Sequence, residues 1–398
     1  MKKRSVLLRI AASLLLPLVI LSAVVLPVFA EIEENAVPVG ETPPVSGLSL
    51  NCKSAILIEA TTGTVLYEQN PDEALPPASV TKIMTLLLVM EAIDEGRIKL
   101  DDTVQTSERA ASMGGSQIYL KVGEEMSVED MVKSVVIASA NDAACALAEF
   151  VSGSEEAFVK AMNDRAAELG MENTNFENTN GLDDTAKNHV TSARDIALMS
   201  AELIKHETIL KYSSIWMDTV RGGEFGLTNT NRLVRFYRGC TGLKTGSTSK
   251  AGFCISATAE RDGMHLVCVI MGAETRDVRN AEAQKLLDWG FANYARYSHT
   301  PERLEELPVI GSGVDKIPVS YPSFSYVADK STAAATEARV QLPEYVSAPL
   351  KKGDKVGEVI FVSGGNEVGR VDICADGDAD RIGFFELWLR MLARFLLK

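Results

Sequence analysis

The 398-residue chain is 46% hydrophobic and 24% charged with only 14 prolines, which excludes a disordered protein and suits two packed domains. Its formal net charge is −14, and so acidic a body excludes a nucleic-acid binder, whose footprint is basic. None of the six cysteines forms C-x-x-C and no histidine stands at zinc spacing, which excludes a structural zinc site; no metal or cofactor motif is present.

Residues 1–30 read as a secretory signal peptide. Lys2, Lys3 and Arg4 form a positive start, an apolar run extends from Leu14 to Phe29, and Val28-Phe29-Ala30 offers a cleavage site. An uncleaved anchor is the alternative, since Ile10 to Ala30 is nearly long enough to span a bilayer; either way the body is exported. Residues 31–46, with Pro38, Pro43 and Pro44 and no aromatic, read as a linker. Export permits disulfides, but Cys254 and Cys268 sit in strand-like apolar runs and read as small buried hydrophobes.

A first domain is expected over 47–298. Ser54-Ala-Ile-Leu-Ile-Glu and Thr64-Val-Leu-Tyr flank Thr61-Thr62-Gly63 as a hairpin. Ser79 to Ile93 is predicted helical, because Ile83, Leu86, Leu87, Met90 and Ile93 recur at three- and four-residue spacing. Ser127-Val-Glu-Asp130 is a capping box that opens a helix through Val136; Ala138 to Asp142 reads as a turn and Ala143 to Val151 as the next helix. Phe253–Ala259 and His265–Met271 are strands joined across Asp262-Gly263, a strong hairpin signal, and Ala281 to Tyr297 returns to helix. Segregated strands and helices imply an α+β domain with an antiparallel sheet flanked by helices.

From about Thr300 short strand-like pieces alternate with turn residues, so 299–378 is expected as a small all-β domain, with Ser363-Gly-Gly-Asn366 turning a hairpin. Residues 379–398 are expected as an amphipathic helix that anchors the protein on a membrane surface. Glu386, Arg390, Arg394 and Lys398 fall four residues apart as a polar stripe, with Phe384, Leu387, Trp388, Met391, Leu392 and Phe395 opposite. Fifteen helical residues reach about 22 Å, short of a ~30 Å hydrocarbon core, so the helix does not span. The alternative is a helix packed on its own domain or on a partner.

The chain lacks G-x-S-x-G, H-E-x-x-H and G-x-x-x-x-G-K, so any serine nucleophile must find a base other than the four histidines. Three ordered motifs supply one: Ser79-Val-Thr-Lys82, Ser139-Ala-Asn141 and Lys244-Thr-Gly246. Ser79 and Lys82 share a helix face, so Lys82 can take the Ser79 proton if burial or a second cation, for which Lys244 is the candidate, lowers its pKa. Ser139 is placed to relay a proton to a leaving amine and Asn141 to hold a substrate amide. Lys244 and Thr245 would meet a carboxylate, and Gly246 would let a substrate backbone approach the strand edge. S-x-x-K recurs at Ser247-Thr-Ser-Lys250 and S-x-N at Ser49-Leu-Asn51, but in the wrong order and on the wrong elements. His189 reads as structural, Arg194 and Asp195 as helix bracing, and Asn229 and Asn231 as shaping a cleft floor.

The stretches Pro77-Ala-Ser-Val-Thr-Lys-Ile-Met-Thr85, Ala138-Ser-Ala-Asn-Asp-Ala143, Thr191-Ser-Ala-Arg-Asp195 and Gly242-Leu-Lys-Thr-Gly-Ser247 make the chain resemble a low-molecular-mass penicillin-binding protein, a serine-type D-alanyl-D-alanine carboxypeptidase, over most of residues 48–376. The resemblance implies a β-lactamase/transpeptidase-like fold, an acyl-enzyme on Ser79, release of the terminal D-alanine from peptidoglycan stem peptides, and acylation by β-lactam antibiotics. It also implies an oxyanion hole from the N–H groups of Ser79 and Ser247, a carboxylate role for Arg279, and work at the outer face of the cytoplasmic membrane. Ser247 departs from those members that carry His. Two rivals stand beside this reading. A β-lactamase would need a deacylating glutamate, for which Glu172 and Glu177 are at hand. A catalytically silent wall-binding protein would need no intact trio.

Overall fold

The computed structural model describes residues 48–183 and 186–396; the expected leader 1–30 and linker 31–46 lie outside them. The first domain is built on five strands: β1 (Ser54–Glu59), β2 (Val65–Gln69), β3 (Cys240–Thr248), β4 (Gly252–Arg261) and β5 (Met264–Ala273). They form one antiparallel sheet in the order β2-β1-β5-β4-β3, so β3 is an edge. The strands are apolar nearly throughout because both faces are covered. On one face Ile56, Ile58, Val267 and Val269 pack with α1 (Lys82–Asp94), α2 (Val128–Ala138), α3 (Asn141–Ser152), α4 (Glu155–Glu168) and α5 (Ala193–Leu203). On the other, Ala55, Leu57, Ile255, Leu266 and Ile270 meet Leu286 and Leu287 of α6 (Arg276–Asn293). The α+β expectation therefore holds, with the sheet sandwiched between helices.

Local signals act where the sequence put them. Ser127 Oγ accepts the N–H of Asp130 and caps α2. Asp262 and Gly263 both take positive φ, 51° and 74°, as a two-residue turn between β4 and β5 requires. Four expectations need correction. Ser79 lies in a 3₁₀ turn, Ala78–Thr81, and the α-helix starts only at Lys82. Asn141 is the first residue of α3, not part of a turn. α6 begins at Arg276, capped by Thr275 Oγ1 on the Val278 N–H. The segment Tyr294–His299 is strand β6, not helix, because it pairs in full with β7 (Phe324–Asp329).

Beyond β6 the chain forms the all-β domain. β8 (Thr336–Gln341), β9 (Lys355–Ser363) and β10 (Asn366–Ala375) join Val319–Ser320 in a four-stranded sheet around Phe324, Val359, Phe361 and Ile373. Helix α7 (Phe384–Leu396) follows, with Phe384, Phe385, Leu387, Trp388, Leu389, Met391 and Leu392 all exposed. Its Arg390 donates to Gly313 O at 2.5 Å and lies 3.6 Å from Glu386. Among the described residues no helix is long and apolar enough to cross a membrane. All six thiols are free.

Candidate active site

Three backbone segments converge where edge strand β3 passes the 3₁₀ turn. Gly246 makes the approach possible: a Cβ on it would stand 2.8 Å from Pro77 O, 2.8 Å from Ser79 N and 2.9 Å from Val80 N. The glycine is thus needed by the protein's own turn, a closer constraint than the expected approach of a substrate. Ala78, just before the serine, is held at φ 49°, a conformation non-glycine residues avoid.

Lys82 Nζ donates to Ser79 Oγ at 2.9 Å and to Asn180 O at 2.8 Å. Its side chain is wholly buried. Burial first, and then the Lys244 ammonium, hold its pKa well below that of an ordinary lysine, with Asp142 opposing. Lys244 is buried too, donates to Thr245 O at 2.9 Å, and is pushed down to about 7 by burial and by Arg279. Arg279, itself buried, is lowered to about 10 by burial and then by Arg276, and its guanidinium rests on Asn280 Oδ1 at 2.9 and 3.1 Å. Cations crowded together at a cleft are a ready seat for a carboxylate.

Ser139 caps α2 in the left-handed region at φ 65°, and Ala140 is extended before α3. The reversal brings Ser139 to the cleft while Asn141 starts the next helix. Among the described residues Ser139 Oγ and Asn141 Oδ1 are both buried without a hydrogen-bond partner, an arrangement whose cost a bound ligand can offset. Asn141 Nδ2 donates to Gly114 O at 2.7 Å. Thr245 Oγ1 donates to Thr230 Oγ1 at 2.8 Å, and Ser247 is exposed at the rim.

Ser79, Ser139, Thr245, Gly246, Ser247 and Arg279 line one cleft of about 390 Å³, joined by residues with no motif: Ser116, Trp216, Thr230, Arg232 and Arg276. Asn180, which contributes only a carbonyl to Lys82, was equally invisible in the sequence. His189 is a brace, as expected. Its Nδ1 accepts from Glu177 N at 2.9 Å, so Nε2 carries the hydrogen and donates to Thr81 Oγ1 at 2.8 Å, and burial lowers its pKa to about 4. The Thr81 hydroxyl in turn donates to Ala78 O, at 2.8 Å. Asn231 Nδ2 donates to Gly242 O at 2.9 Å and braces the entry to β3, whereas Asn229, whose Nδ2 donates to Ile215 O at 2.8 Å, lines the cleft itself. Arg194 pairs with Asp72 and Glu68, and Asp195 Oδ2 accepts from Asn173 N and Thr174 Oγ1. Glu177 Oε2 accepts from Lys187 N, and neither it nor Glu172 lines the cleft.

Fold and cleft together define a transpeptidase-like serine enzyme followed by an all-β domain. The sequence pattern of the family D-alanyl-D-alanine carboxypeptidase matches residues 40–275, and that of the penicillin-binding protein 5 C-terminal domain matches 301–381. D-alanyl-D-alanine carboxypeptidase DacF of Bacillus subtilis is 42% identical over 354 residues, 87% of this chain and 90% of that one. Among solved structures, penicillin-binding protein 5 of Haemophilus influenzae aligns at a TM-score of 0.73 and 31% identity, covering 86% of this chain and 100% of that one. Penicillin-binding protein D2 of Listeria monocytogenes, solved with ampicillin bound, aligns at a TM-score of 0.57 and 34% identity over 62% of this chain and 99% of its own. The chain belongs to the D-alanyl-D-alanine carboxypeptidase family. It is a hydrolase of the serine-peptidase type.

Proposed function

We propose that the chain removes the terminal D-alanine from peptidoglycan stem peptides through an acyl-enzyme on Ser79. The observation that carries this is the wholly buried Lys82 Nζ at 2.9 Å from Ser79 Oγ. Lys82, kept neutral by burial and by the nearby Lys244 charge, takes the Ser79 proton as Oγ attacks the scissile carbonyl. The N–H groups of Ser79 and Ser247 receive the developing oxyanion, and Gly246 supports this role by letting β3 close on the turn. Ser139 passes a proton to the leaving amine, D-alanine departs, and water hydrolyses the ester. Lys244, Thr245 and Arg279 hold the terminal carboxylate, and Asn141 holds the amide of the penultimate side. β-Lactam antibiotics enter the same sequence and stop at the ester. The absence of Glu172 and Glu177 from the cleft lining speaks for slow deacylation and against a β-lactamase.

We take 47–298 as the catalytic domain, 299–378 as the second domain and 379–398 as a peripheral anchor on the outer face of the cytoplasmic membrane. The exposed apolar side chains of α7, with Arg390 turned to Gly313, support the anchor. The test is D-alanine release from a peptide ending in D-Ala-D-Ala. Wild type should release it and folded Ser79→Ala should not; release by both would reject the assignment.

A further inference from the structure

Asp142, the neighbour of Asn141, is wholly buried, and among the described residues it makes no ion pair. Its carboxylate instead gathers backbone N–H groups: Ile118 donates to Oδ1 at 3.2 Å and Oδ2 at 3.1 Å, Leu120 to Oδ2 at 3.0 Å, and Ala143 to Oδ1 at 3.0 Å. Between the first two donors Tyr119 is held at φ 59°, a region bulky residues avoid. Arg221 grips the same segment from the other side, with Nη1 donating to Ile118 O at 2.8 Å and Nε to Glu124 Oε1 at 2.7 Å.

The held segment returns two carbonyls to Asn141. Ser116 O accepts its backbone N–H at 2.7 Å, and Gly114 O accepts its Nδ2 at 2.7 Å. Gly115, between them at φ 73°, has no room for a side chain: a Cβ would lie 2.8 Å from Asn141 Nδ2 and 3.3 Å from Leu182 Cδ2. The Nδ2 bond to Gly114 O fixes the amide's orientation, and among the described residues Oδ1 is left without a partner. Residues 114–120 are therefore lashed to the start of α3 through two consecutive side chains, one receiving and one giving.

We propose that Asp142 is a positioning residue for the Asn141 amide, fixing the segment whose carbonyls set the orientation that amide presents to ligand. A carboxylate is required, because an amide in its place would turn an NH₂ toward N–H donors now accepted by both oxygens. The inference rests on Asn141 serving the ligand's amide. Its signature is selectivity: ligands that carry the acylamino group suffer, and ligands without it do not.

The experiment measures second-order acylation of the full chain by benzylpenicillin, which has an acylamino side chain, and by 6-aminopenicillanic acid, which has the same rings and carboxylate without it. Asp142→Asn should slow benzylpenicillin by about tenfold and change 6-aminopenicillanic acid by less than roughly twofold. Asn141→Ala should show the same selectivity, and the double variant should lose little more than either single one. If Asn141→Ala is selective while Asp142→Asn slows both ligands alike, or neither, Asp142 does not position the amide. If Asn141→Ala is itself unselective, the reading of Asn141 fails and the inference falls with it. Should Asp142→Asn not fold, Gly115→Ala presses directly on Nδ2; it must give the same selectivity, and an equal loss on both ligands overturns the proposal.

Discussion

Gly246→Ala perturbs the site without removing a functional group. The added methyl would meet Pro77 O, Ser79 N and Val80 N at 2.8–2.9 Å, and all three are backbone atoms that no rotamer change relieves. Restoring contact to about 3.4 Å moves β3 away from the turn by roughly 0.5 Å. Overpacking of this kind costs about 1–3 kcal/mol, or about 2–4 °C in melting temperature per kcal/mol for a domain of this size. The same shift spreads the Ser79 and Ser247 N–H groups. A 1 Å misplacement costs about 10²-fold and loss of a whole oxyanion donor about 10²–10³-fold, so a loss of about ten- to a hundredfold in acylation rate is expected. The assay is kcat/KM for D-alanine release beside the rate of labelling by a fluorescent penicillin, with the melting temperature as control. A variant that acylates within roughly twofold of wild type and melts at the same temperature would refute the view that this glycine sets the oxyanion geometry.

Three further outcomes follow from the same geometry. Lys82→Arg keeps the charge but cannot surrender a proton, so acylation should collapse, whereas Lys244→Arg should keep part of the activity and mainly raise KM; equal losses in both would refute the division of roles. Burial depresses the His189 pKa from 6.5 to about 4, so the unfolded chain binds the proton first on acidification. Stability should therefore be intact above about pH 6.5 and fall by up to about 3 kcal/mol toward pH 4, and urea unfolding at pH 7 and 5 should show a smaller difference for His189→Gln. Liposomes with anionic headgroups should pellet the full chain and not one ending at residue 379, with salt weakening the effect; equal solubility of both forms would count against α7 as an anchor.

The trio was legible because each motif is short, ordered and carried on side chains. Apolar runs and Asp262-Gly263 announced β4 and β5, and Ser127 announced α2. What stayed hidden depends on backbone and tertiary pairing. The carbonyls of Asn180 and Gly114 that hold Lys82 and Asn141 could come from any residue type, so no motif marks them. Tyr294–His299 continues the apolar spacing of α6, yet pairing with β7 overrides that local preference. The turn at Ala78 follows two prolines, which signalled a stop, but its positive φ is imposed by packing that only the fold supplies. Gly181 shows this packing: a Cβ there would fall 1.8 Å from Ala78 O.

The central claim is that Ser79, paired with a buried neutral lysine, is the residue acylated. Intact mass after brief exposure to benzylpenicillin, followed by mapping of the modified peptide, tests it most directly. The expected result is one added penicillin per chain, on the peptide that contains Ser79, persisting for many turnover times and absent from Ser79→Ala. Adduct on any other peptide, or undiminished adduct on a folded Ser79→Ala chain, would contradict the account.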